Sequence, residues 1–120
     1  MKNLLFLGIA LIVLVIVIGV VFQPKHSSSS VTDVPYFDEN AKVMYFWQES
    51  CHYCQQQKPI LQQLANENGL KVKSMDVGNN PDLWKQYSIE GTPTFIAPDG
   101  QKLVGLQEKE KLKTFLEKYK

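Results

Sequence analysis

Two cysteines, Cys51 and Cys54, are the only ones in the chain, and only His52 and Tyr53 separate them. At that spacing the second sulfur can reach the first, which suits thiol–disulfide exchange. One thiolate attacks a foreign sulfur, and the other displaces whatever the first has captured. The chemistry needs an anion, because the thiolate and not the thiol is the nucleophile. The start of a helix supplies what an anion needs, since its first backbone N–H groups are unpaired and its dipole is positive there. Ser50 reads as the N-cap, which would place Cys51 in the first helical turn. The competing chemistry for a CxxC pair is half of a zinc site, which requires two further ligands. The two histidines, His26 and His52, are poor candidates. His26 lies in a polar stretch far upstream, and His52 sits between the cysteines. No metal and no cofactor are expected.

The elements that must hold this pair can be read on both sides of it. Val43-Met44-Tyr45-Phe46-Trp47 is an apolar run of strand character. Residues 42–47 are therefore expected as a strand and 51–68 as a helix ending at Gly69, a natural C-cap. Ile60, Leu61, Leu64 and Ala65 recur along it at helical spacing. A second strand is expected over 70–77. Asn80-Pro81 should open a short helix carrying Leu83, Trp84 and Tyr87, with Asn80 as the cap. Residues 93–97 and 102–105 should form a hairpin around Pro98-Asp99-Gly100. Leu112, Phe115, Leu116 and Tyr119 mark a final helix by their i, i+3, i+4, i+7 spacing. The order is β-α-β-α-β-β-α. Strands joined through helices are expected to run parallel, with the closing hairpin antiparallel. The result is an α/β domain with a mixed four-stranded sheet and helices on both faces.

Upstream, 4–22 is an unbroken apolar run, LLFLGIALIVLVIVIGVVF. Its nineteen residues, at about 1.5 Å each, match a hydrocarbon core. The run is longer than a signal-peptide core and ends without a small-residue cleavage site, so an uncleaved transmembrane anchor over 1–22 is expected. Residues 23–35, with four consecutive serines, read as a flexible linker in which His26 is solvated. The domain is then 36–120. Lys2 and Lys25 flank the apolar run evenly, so charge hardly orients it. Nearly all of the chain follows the run, and no spare thiol is present, which favours an extracytoplasmic domain. Thirteen basic residues against twelve acids give a net charge of +1. No basic stripe points to nucleic acid, and the mixed charges suit a solvated surface.

From Tyr36 onward the pattern resembles the thioredoxin superfamily. Four features carry the resemblance: CxxC after a strand; Trp47 four residues before the first cysteine; Pro59 inside the helix, five residues after the second; and Gly91-Thr92-Pro93-Thr94-Phe95 at the start of a strand. A mid-helix proline is costly, at about 3 kcal/mol or more, so its presence at this spacing is informative. The resemblance implies a redox-active Cys51–Cys54 disulfide, with both residues catalytic. It implies a cis peptide bond before Pro93, with Thr92 and Pro93 facing the disulfide and docking extended client segments. The family's opening strand and helix are expected to be missing, leaving a shortened form of the fold.

Departures from the family pattern carry information of their own. Thioredoxins have a buried acid where this chain has Tyr45, its lysine partner is replaced by Val72, and the tryptophan before CxxC is replaced by Ser50. Glu49 is the nearest carboxylate and the candidate proton shuttle, against the plain reading of an exposed charge. His52 and Tyr53 are expected to tune redox poise. An imidazolium beside Cys51 would favour the thiolate and make the disulfide more oxidising. Tyr53 and Thr92 resemble the disulfide-isomerase group, although a dimerisation domain is missing and a monomer is expected. The expected partners are cysteine-containing client proteins, a redox protein that resets the disulfide, and the membrane through 4–22. The alternatives are a client-binding module without turnover and a small metal-binding module.

Overall fold

The computed structural model describes residues 34–120. The expected anchor, and the linker up to 33, lie outside the described residues. Among the described residues no helix is long and apolar enough to cross a membrane. The elements run β1 (Met44–Trp47), α1 (His52–Asn68), β2 (Lys73–Asp76), α2 (Asp82–Gln86), β3 (Thr94–Ile96), β4 (Lys102–Val104) and α3 (Lys109–Lys118), in the expected order. The four strands form one sheet in the order β2-β1-β3-β4.

Alternation along β1 decides which helices cover which face. Tyr45 and Trp47 point to one side, where they pack with Leu61 and Leu64 of α1, Phe95 of β3, and Leu112 and Leu116 of α3. Tyr45 stacks on its cross-strand partner Phe95, with ring centroids 4.8 Å apart. Met44 and Phe46 point the other way, to Val77, Ile89, Ile96 and the Leu83 and Trp84 side chains of α2. The sheet therefore lies between helices on both faces, as the sequence pattern implies.

One expectation about strand direction fails. β1 and β2 are parallel across α1, but β3 is antiparallel to β1, and so to β2, across α2. The registers explain this. β2 ends with Asp76 beside Trp47, and β3 begins with Thr94 beside Phe46. Both events occur at the end of the sheet where β1 gives way to α1. With five residues, α2 is about 7 Å long and too short to carry the chain back along the sheet before β3 starts. β3 consequently enters from the same end as the cysteine pair, which brings Pro93 there.

Three local expectations are also revised. Cys51, not Ser50, is the N-cap of α1, because its own sulfur accepts the Cys54 N–H. Asn80 does not cap α2; Pro81 holds that position without a side-chain hydrogen bond, and the Asn80 amide instead donates to the Asp76 carbonyl. The folded domain, expected to begin at 36, already makes core contact two residues earlier. Val34 packs against the core, and Phe37 makes one parallel bridge to Val72, flanked by hydrogen bonds from Val72 N to Tyr36 O and from Asp38 N to Val72 O. The end of α1 follows expectation: Gly69 adopts φ 62°, a left-handed conformation that glycine tolerates, and its N–H returns to the helix.

Candidate functional site

Cys51 and Cys54 are joined by a disulfide, with Cα atoms 5.2 Å apart. The two sulfurs stand in different surroundings. Cys51 is half-buried at the helix N-cap, whereas Cys54, one turn on, is fully buried. The Cys54 N–H donates to Cys51 Sγ at 3.1 Å. A sulfur in the N-cap position therefore receives a backbone amide directly, closer to the helix dipole's positive end than the first turn would place it. Pro59 lies within α1, as expected from its spacing, and the helix continues through it to Asn68.

A second segment closes over Cys51. The Thr92–Pro93 peptide bond is cis. The Thr92 carbonyl oxygen lies 3.4 Å from Cys51 Sγ, within reach of a thiol proton once the disulfide is reduced. Thr92 itself remains half-exposed, and Pro93 is buried. The Thr94 hydroxyl donates to the Gly91 carbonyl at 2.7 Å, pinning the turn that presents Thr92. A third segment joins from β4: the Gly105 N–H donates to the Pro93 carbonyl at 2.8 Å. Gly105 has φ 84°, a left-handed conformation that a side chain would strain. Its neighbour Leu106 is exposed, and so is Tyr53 on α1.

The other expected site residues fall at graded distances from this centre. His52 is exposed, with Nε2 3.0 Å from the Gln56 side-chain nitrogen one turn along the helix, and its ring meets Tyr53 edge-on. Glu49 has its carboxylate in solvent, 80 % exposed, and 3.7 Å from Lys58 Nζ. That is the setting of a surface charge. Trp47 holds the strand end in place: its Nε1 donates to Ser74 Oγ at 2.9 Å, and its ring stacks on Phe37.

Tyr45, at the position of the relatives' buried acid, is buried, and its hydroxyl has no hydrogen-bond partner among the described residues. Burial first, and then the nearby Tyr36, push its phenol far above the ordinary tyrosine range, so it stays uncharged. Two residues that the motifs did not flag also belong to this region. Gln57, in α1, and Gln107, just before α3, are both buried and bonded to one another. The only signal for Gln57 was its phase: it falls on the face of α1 that buries Cys54, Leu61 and Leu64, within an otherwise exposed glutamine run.

Comparison with known proteins agrees with this geometry. The thioredoxin family profile matches residues 23–118. The thioredoxin of Staphylococcus haemolyticus (strain JCSC1435) is 34% identical over 93 residues, covering 69% of this chain and 89% of that one. The thioredoxin of Listeria monocytogenes is 30% identical over 98 residues, covering 74% and 95%. Among solved structures, a point mutant of the thioredoxin from Halobacterium salinarum NRC-1 superposes with a TM-score of 0.56 at 28% identity, covering 75% of this chain and 85% of that one. A disulfide set across the first turn of a helix, a cis-proline loop over its outer sulfur and a family match across most of the sequence lead to one assignment: the chain belongs to the thioredoxin family of thiol–disulfide oxidoreductases.

Proposed function

We propose that this chain is a membrane-tethered thiol–disulfide oxidoreductase that exchanges disulfides with extracytoplasmic proteins, with Cys51 as nucleophile and Cys54 as resolving thiol. The observation that carries the division of labour is the asymmetry at the helix start. Cys51 Sγ is half-open and accepts a backbone amide, whereas Cys54 is sealed beneath it. The Cys51 thiolate attacks one sulfur of a client disulfide, and the other client sulfur leaves as a thiolate. The Cys54 thiolate then attacks Cys51 Sγ, the client's second sulfur departs, and the Cys51–Cys54 disulfide holds the oxidised state. In the opposite direction a client thiolate opens Cys51–Cys54 at Cys51, and a second client thiolate releases the client oxidised. An extended client segment pairs with the Thr92 backbone beside Cys51.

Two features support a disulfide more oxidising than a thioredoxin's. His52 is the neighbour of Cys51. Tyr45 puts an uncharged phenol where the relatives carry an acid, so no buried carboxylate opposes thiolate formation. The apolar run over 4–22 supplies the tether.

One labelling experiment tests the tether, the side and the nucleophile together. A membrane-impermeant maleimide added to intact cells after mild reduction should modify Cys51, and the labelled chain should stay with the membrane after alkaline extraction. Label that appears only after lysis, or a chain released by alkali, would contradict the placement.

A further inference from the structure

Gln57 and Gln107 make an arrangement that none of the chemistry above uses. Gln57 has no measurable exposure and Gln107 is 5% exposed. The Gln57 side chain bonds both main-chain groups of Gln107. Its Nε2 donates to the Gln107 carbonyl at 3.2 Å, and its Oε1 accepts the Gln107 N–H at 2.7 Å. The Gln107 side chain turns back and donates to the carbonyls of Val104 and Gly105, both at 3.0 Å. Gly105 in turn donates to Pro93, next to the Thr92 carbonyl that faces Cys51. A continuous set of bonds thus links the helix of Cys54, the loop 104–107 and the segment over the disulfide.

Two apolar side chains would join helix and loop without desolvating four polar groups. What the amides add is direction, since a side-chain fork on both main-chain groups of one residue accepts that residue in a single orientation. The loop it fixes carries Gly105 against Pro93 and presents Leu106 to solvent. We propose that Gln57 and Gln107 are positioning residues that hold the 104–107 loop as part of the client-docking surface, and so set recognition of protein disulfides rather than reactivity of the thiols. The inference rests on reading this site as one that docks protein clients.

The test compares a protein disulfide with a small one on the full chain in detergent. Insulin and 5,5′-dithiobis(2-nitrobenzoate) serve as substrates. Gln57→Met keeps the length and bulk but loses the fork. It should raise KM for insulin about threefold to tenfold, the factor that one net hydrogen bond carries, and leave the rate on the small disulfide within about twofold. Gln107→Met cuts only the two braces to Val104 and Gly105 and should show the same split, more weakly. In the unaltered chain, amide hydrogen exchange should find Gly105 and Gln107 protected alike, a readout that needs no variant to fold. An unchanged insulin KM, equal losses on both substrates, or a Gly105 amide that exchanges freely while Gln107 is protected would overturn the proposal. An unaltered chain that turns over neither substrate would instead overturn the enzymatic reading of the site.

Discussion

Cys51 and Cys54 are one helical turn apart, yet they occupy opposite kinds of ground. Around Cys51 the surroundings are backbone and access: a donated amide, the Thr92 carbonyl, and exposed Tyr53 two residues on. Around Cys54 everything is interior, a buried helix face that continues through Gln57, Leu61 and Leu64. The difference teaches that reactivity here is set by position in the fold rather than by side-chain acids and bases. In the proposed division of labour, the helix start favours the thiolate of Cys51 once the disulfide is reduced, and burial holds Cys54 in reserve until a mixed disulfide forms.

The strongest way to break that comparison is to remove the outer sulfur. Cys51→Ser should lower turnover of any disulfide by about a thousandfold or more, because the attacking group itself is gone. Equal residual activity in Cys51→Ser and Cys54→Ser, measured by insulin reduction, would mean that the two positions are interchangeable.

The interior side can be sharpened at Tyr45. Its buried hydroxyl has no partner among the described residues, so Tyr45→Phe should be neutral or stabilising by about 1 kcal/mol in urea unfolding. The same residue gives a pH signature. Its folded pKa lies above its ordinary value of 10.0, so the stability it confers is complete below about pH 10 and is lost as pH rises through that value toward the folded one. Tyr36 is shifted the same way and should contribute to the same alkaline loss. Tyr45→Phe should therefore flatten the fall in melting temperature above about pH 10. A decline as steep as that of the unaltered chain would show that Tyr45 is not the group responsible.

The smallest effect is expected at His52. Its ring is exposed and turned toward Gln56, so any imidazolium contribution to Cys51 is partly screened by solvent. His52→Ala should shift the Cys51–Cys54 potential in the reducing direction by about 10–30 mV, where about 30 mV corresponds to one pKa unit for a two-electron couple. Equilibration with glutathione at fixed pH reads this directly, and an unchanged potential would leave the helix cap and the uncharged Tyr45 as the features that tune the site.

Much of the frame was legible because its signals are local. The run 43–47, the spacing of Leu112, Phe115 and Leu116, and Gly69 at a helix end each state a period or a cap within a few residues. The cis Thr92–Pro93 bond and its place over Cys51 followed from a resemblance and not from the residues themselves. What could not be read depended on which chain segment meets which. The direction of β3 turns on how short α2 is, a matter of a few residues at its ends. Serine is the better cap in isolation, so Ser50 hides the capping role of Cys51, whose sulfur takes the amide here. The Gln57–Gln107 bonds join positions fifty residues apart, and nothing near either glutamine marks it as interior except the helical phase of Gln57.

The division of labour between the two sulfurs is tested most directly by trapping. Cys54→Ser and Cys51→Ser chains, each incubated with a client disulfide and quenched in acid, should be compared on a non-reducing gel. The account predicts that the Cys54→Ser chain accumulates a stable mixed disulfide through Cys51, while the Cys51→Ser chain forms almost none. A mixed disulfide that forms equally well on Cys54 would contradict it.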